Sequence, residues 1–322
     1  MAKSLVTQLR RKAGGVAVDA AFRGAARAGR LHPRARPEAH GVEVKRDLRY
    51  GLRPEHRLDI YRPRGATGPQ PAVLYIHGGG FRILSKDTHW VMGLGFARAG
   101  YTVINISYRL APRHPYPAAV EDVGQALGWL IRHAEALGID PSRVALAGES
   151  AGANLALVLM VMCCFERDER AAREVFETGF SPRAVLPYCG LNQVSDVERI
   201  KRRKPRISRF VEDRLLEVSH AYIGARPAPL ADPLLILEGD TPAARPLPPV
   251  FAAVGTLDPL LDDTRRLADA VSARGATVDA RYYPGEIHAF HAFAWRRNAQ
   301  RCWRDTYRFL EANGFLTDSS SS

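Results

Sequence analysis

The feature that most constrains this chain is a serine held between two glycines, where a strand-like run meets a helix-like run. Val144-Ala145-Leu146-Ala147 is short and aliphatic. Gly148-Glu149-Ser150-Ala151-Gly152 follows at once, and an apolar helix-forming stretch, Asn154 to Phe165, comes next. A strand that reverses into a helix within a few residues leaves little room for Cβ atoms beside the turn, so glycines belong there. Such a turn projects the serine hydroxyl above the sheet, the arrangement of a nucleophile elbow. Glycine and serine are common enough that the pentapeptide alone recurs by chance in about one chain in ten of this size. The strand before it and the helix after it carry the inference.

A second glycine cluster lies upstream. Val73-Leu74-Tyr75-Ile76 reads as a buried strand, and His77-Gly78-Gly79-Gly80-Phe81 follows it directly. Three consecutive glycines are costly in chain entropy, so bare backbone is required at that point. Acyl transfer supplies a reason. The attacked carbonyl becomes an oxyanion, and fixed N–H donors aimed at it are usually the largest catalytic contribution. The amides of Gly79, Gly80 and Ala151 are expected to converge there, with Gly78 and His77 shaping the loop.

Two further strand ends offer an acid and a base. Pro249 to Gly255 opens onto Thr256-Leu257-Asp258, and Thr277 to Tyr283 opens onto Pro284-Gly285-Glu286-Ile287-His288. Open α/β sheets place their chemistry at such carboxyl ends. A serine hydroxyl needs an adjacent base, imidazole titrates near neutrality, and a carboxylate fixes the ring tautomer. Ser150, Asp258 and His288 therefore form the candidate catalytic set, in the serine–acid–histidine order of α/β hydrolases. His291 and His77 are alternative bases, and Asp262 and Asp263 alternative acids. The last two also suit a helix start, where capping and the dipole favour carboxylates.

These motifs resemble the hormone-sensitive lipase family of α/β hydrolases, which includes many bacterial carboxylesterases. His77-Gly78-Gly79-Gly80-Phe81 is similar to the family's oxyanion motif. Tyr108-Arg109-Leu110-Ala111-Pro112 through Pro117-Ala118-Ala119 resembles a second family segment, and Gly148 to Gly152 its serine elbow. Asp258 and His288 fall in segments like its acid and base motifs. The resemblance implies a serine hydrolase of short to medium acyl esters that needs no cofactor, with a small-molecule ester as partner and a homodimer as one assembly. It also implies a helical cap. Three residues depart from the family pattern: Glu149 in place of a shorter residue, Ala289 in place of glycine, and Arg82 in place of a small or apolar residue. Phe81, Arg82 and Glu149 are the expected substrate-pocket positions. The same motifs would serve an amidase, a deacetylase or a lipase, and fold alone would allow a non-catalytic small-molecule receptor.

Composition bounds the rest. The 322 residues carry a net charge of +12, concentrated in the first segment (Lys3 to Arg36) and in Lys201-Arg202-Arg203-Lys204-Pro205-Arg206. Neither cluster has interleaved aromatics or a known nucleic-acid motif, so no nucleic-acid partner is expected. A weak contact of the basic N-terminus with an anionic membrane surface competes with a cap role for that segment. No apolar run approaches the roughly 18 residues of a membrane span. Cys163, Cys164, Cys189 and Cys302 show no metal spacing, and His288-x-x-His291 lacks a third ligand, so no metal is expected. A cytoplasmic location with reduced thiols follows as the default.

Strand runs near 42–48, 57–61, 71–76, 102–107, 143–147, 184–188, 250–255 and 277–283 alternate with helical stretches from the third onward. That pattern predicts an α/β-hydrolase fold: a mostly parallel, eight-stranded sheet with helices on both faces. The first two strands are expected at an antiparallel edge. The organisation then reads as an N-terminal helical cap segment (1–40, interrupted at Gly14-Gly15 and by Pro33 and Pro37), catalytic core (41–190), cap insertion (191–230, with a helix near Arg209 to Tyr222), catalytic core (231–316) and a disordered tail (317–322).

Overall fold

The structure, a computed structural model, describes residues 2–315, with side-chain surroundings from residue 14 onward; the expected tail lies outside the described residues. Eight strands form one sheet: β1 (Val42–Arg49), β2 (Arg57–Pro63), β3 (Gln70–Ile76), β4 (Thr102–Ile106), β5 (Ile139–Glu149), β6 (Ala184–Tyr188), β7 (Val250–Gly255) and β8 (Val278–Tyr283). Their order is β1-β2-β4-β3-β5-β6-β7-β8. β2 pairs antiparallel with both β1 and β4, and every other pairing is parallel. The serine-bearing β5 is central, as a continuous apolar run predicts for a strand covered on both faces.

Side chains along β3 alternate between two cores, as the two-residue period of a strand dictates. Leu74 and Ile76 face one side, and Val73 and Tyr75 the other. The first face is covered by α3 (Ala118–His133), α4 (Ala151–Cys164) and α9 (Leu261–Ala273). The second is covered by α2 (Trp90–Arg98) and α10 (Arg297–Ala312). All of α4 is buried, including Cys163 and Cys164, so it has no polar face. Among the described residues no helix is long and apolar enough to cross a membrane.

The remaining helices are α1 (Ala2–Leu31), α5 (Arg170–Phe176), α6 (Glu198–Arg203), α7 (Arg209–Tyr222) and α8 (Pro233–Glu238). Helix α1 corrects one expectation, because Gly14-Gly15 do not interrupt it. A Cβ on either glycine would stand 3.0 Å from the Arg214 guanidinium, so the pair lets α1 close onto α7. The prolines act as expected: α1 ends at Leu31, and short 3₁₀ turns begin at Pro33 and Pro37. Segment 191–230 leaves and rejoins the core at neighbouring points. The buried Asn154 amide donates to Leu191 O at 2.8 Å and to Ala231 O at 2.9 Å, clamping both ends of the excursion.

Candidate active site

The elbow is built as its glycines require. Ser150 has φ 53° and ψ −114°, a strained conformation for a residue with a side chain. A Cβ on Gly148 would lie 2.4 Å from Gly152 O, and one on Gly152 would lie 2.1 Å from Ile76 O. Ser150 N donates to Tyr188 O at 2.9 Å, and Leu191 N donates to Ser150 O at 3.3 Å, which fixes the turn against the end of β6. Ala151 opens α4, so its amide belongs to the first helical turn, whose N–H groups lack intrahelical acceptors.

The glycine loop crosses the end of β3 beside this turn. Gly79 and Gly80 have φ 106° and 59°. A Cβ on Gly79 would meet Ile83 O at 2.1 Å, and one on Gly80 would meet Val218 Cγ2 of α7 at 2.5 Å. Arg82 N and Ile83 N both donate to Gly79 O at 3.1 Å and close the loop. His77 braces it from below, with Nδ1 2.7 Å from Gly78 O and its ring stacked on Tyr108 at 4.2 Å. Burial pushes the His77 pKa down to about 3, so this imidazole is neutral. It serves as a turn residue.

Asp258 is buried just beyond β7. Its Oδ1 accepts from Leu260 N at 2.8 Å, and its Oδ2 lies 2.8 Å from His288 Nδ1. A Cβ on Gly255 would lie 2.1 Å from Glu286 O, so the acid and base loops approach closely only because Gly255 lacks one. The His288 side chain keeps 36% of its exposure, leaving the ring an open side. Burial works against a charged imidazole, but the Asp258 carboxylate outweighs it, and the His288 pKa is raised well above the usual value. The alternatives are occupied elsewhere. Asp262 pairs with Arg265 at 3.4 Å, Asp263 pairs with Arg199 at 2.5 Å, and His291 lies 3.3 Å from Glu149 Oε2.

A strained serine beside bare amides, with a carboxylate-braced imidazole at the same sheet end, has the parts needed for acyl transfer. A profile for the alpha/beta hydrolase fold matches residues 73–292. The chain is 32% identical over 246 residues to carboxylesterase NlhH of Mycobacterium tuberculosis, covering 73% of this chain and 71% of that protein. This chain is an α/β hydrolase of the hormone-sensitive lipase group. Among solved structures, esterase LipW of Mycobacterium marinum superposes with a TM-score of 0.77 at 25% identity, over 94% of this chain and 90% of that one. An esterase from the bacterial hormone-sensitive lipase family gives 0.69 at 29% identity, over 85% of each chain.

In this hydrolase the three expected pocket positions are placed differently from one another. Phe81 is fully buried and stacked on Tyr222 at 3.8 Å, pinning the glycine loop to α7. Arg82 is paired with Glu217 of α7 at 2.6 Å, so its charge is matched by that helix. Glu149 is not at an open wall. Its carboxylate is buried, 2.9 Å from His89 Nε2 and 3.3 Å from His291 Nε2, and these two partners hold its pKa well below the usual range against the cost of burial.

Three neighbours escaped the sequence reading. His89 Nε2 also lies 3.4 Å from Gly78 N, bringing the glycine loop beside the residue before the serine. Lys204 of the basic run donates to Asp258 O at 2.6 Å. Cys189 follows β6, and its sulfur stands with the Asp258 and His288 ligand atoms, all within 4.8 Å of one another. Position after a strand end was the available signal for Cys189. No local pattern marks the other two.

Proposed function

We propose that this hydrolase cleaves short to medium acyl carboxylic esters through an acyl-enzyme on Ser150. The observation that carries the reading is the 2.8 Å Asp258–His288 contact at the sheet end that presents the strained serine. In this scheme His288 takes the Ser150 proton as the hydroxyl attacks the ester carbonyl. The amides of Gly79, Gly80 and Ala151 hold the oxyanion. His288 returns the proton to the departing alcohol, and water, activated by the same ring, releases the acid. Asp258 keeps the ring oriented and supports its charge. Side chains, backbone and water suffice for each step.

We further propose that α1 and the 191–230 segment cap the chamber. Support comes from the seating of Val218 over Gly80 and of Arg82 on Glu217. A cytoplasmic working place is supported by four free, buried cysteines. Turnover of a p-nitrophenyl ester series from acetate to palmitate tests the activity and the chain-length limit. Ser150→Ala is expected to lower kcat for p-nitrophenyl butyrate by about ten-thousandfold or more. Equal turnover by variant and wild type would sink the proposal. A fluorophosphonate probe should label Ser150 and no other residue.

A further inference from the structure

We propose that Cys189, Asp258 and His288 form an inhibitory binding site for a thiophilic divalent cation, zinc being the case argued. The inference rests on the esterase reading only for its effect on turnover. Three ligating atom types meet here: a sulfur, an imidazole nitrogen and a carboxylate oxygen, all within 4.8 Å of one another. The Cys189 main chain is pinned at the sheet end. It stands directly after β6 with φ 41°, and its N–H donates to Ala253 O at 2.8 Å on β7. That strand end thus aims the thiol between the acid and base loops.

The donor set fits zinc. Zinc takes thiolate, imidazole and carboxylate at about 2.0–2.3 Å, which sets neighbouring ligand atoms about 3.5 Å apart in a tetrahedron. The widest separation, at most 4.8 Å, has to close by up to about 1.3 Å, while the Asp258–His288 pair at 2.8 Å has to open by roughly half an ångström, both within reach of χ rotations. The softness of sulfur selects against magnesium and calcium, which prefer all-oxygen sites. His288 keeps 36% of its side-chain exposure and is the one residue of the three that solvent reaches. Binding balances simply. The cation takes a lone pair from the imidazole and one from the carboxylate, while the Cys189 thiol and the protonated His288 ring each yield a proton to solvent as the zinc–sulfur and zinc–nitrogen bonds form. The imidazole nitrogen and carboxylate that cooperate in ester cleavage are then engaged with metal, and turnover stops.

The other cysteines provide internal controls. Cys163, Cys164 and Cys302 are buried in the two cores, and the only such three-residue group among the described residues contains Cys189. The test is a zinc titration of p-nitrophenyl butyrate hydrolysis by the full-length chain, with chelator reversal, for wild type, C189A and C189S. Wild type should be inhibited reversibly. Both variants should retain turnover and need at least the roughly 10–100-fold higher zinc that loss of even an outer-shell partner costs. Cobalt(II) gives a readout independent of catalysis. A sulfur-to-cobalt charge-transfer band should appear in wild type and in Ser150→Ala, and vanish in C189A. Zinc sensitivity unchanged in both Cys189 variants would overturn the proposal, as would the absence of a Cys189-dependent cobalt band. Because the band does not require ester turnover, it separates failure of this site from failure of the esterase assignment.

Discussion

At the scale of single residues, the site depends on what is missing as much as on what is present. Gly152 has no φ requirement for glycine, yet a Cβ there would strike Ile76 O at 2.1 Å. Gly152→Ala should therefore destabilise the fold by about 1–3 kcal/mol, the usual cost of overpacking, measured by urea unfolding. The acid behaves differently. Asp258 raises the pKa of His288, and only the neutral ring can act as base, so activity should rise with pH through that elevated value. Asp258→Asn should move the acid limb of the kcat/KM profile to lower pH while cutting the rate by about ten-thousandfold. A limb that stays in place would show that Asp258 does not set the ring's charge. These residues were readable from sequence because each follows a strand or glycine signal of its own.

At the scale of elements, Glu149 joins three loops. It precedes the nucleophile, its partner His89 touches the glycine loop, and its partner His291 lies three residues beyond His288. Removing the charge of a buried, paired carboxylate commonly costs about 3–5 kcal/mol. Glu149→Gln should lose stability of that order at neutral pH. The sign with pH follows from the depressed carboxyl pKa. The contribution is complete above the unfolded value and disappears as pH falls through the lower folded one, so the gap between variant and wild type should close only in strong acid. Denaturation curves at a series of pH values check this. The eight strands and the α4 and α7 helices were legible because hydrophobic period and turn residues mark them locally. The buried place of Glu149, the reach of Lys204 and the proximity of Cys189 were not, since each depends on which strands become neighbours. Gly14-Gly15 misled for a related reason. Glycine weakens an isolated helix, but here it allows α7 to approach, a fact outside the local sequence.

At the scale of the molecule, hydrogen bonds from the second half of α1 fasten it to the core. Asp19 Oδ1 accepts from Leu84 N at 3.2 Å, Ala26 O accepts from Trp90 Nε1 at 3.1 Å, and Arg30 donates to Asp87 O at 2.8 Å. A chain starting at residue 41 should keep its sheet and its thermal transition. It should show a higher KM for longer acyl chains, with p-nitrophenyl acetate turnover little changed. Liposome co-sedimentation of both forms tests the competing role of the basic segment. Loss of lipid binding on truncation, with KM values unchanged, would favour a membrane contact over a cap.

Helix α4 is enclosed along all 14 of its residues, whereas α7 meets the glycine loop through the Arg82–Glu217 ion pair, the Val218 contact with Gly80 and the Phe81–Tyr222 stack. The floor beneath the serine is thus intolerant of change, and the proposed roof rests on a few separable contacts. Directed evolution of this hydrolase toward bulkier esters should accumulate its accepted changes overhead, leaving the foundations untouched.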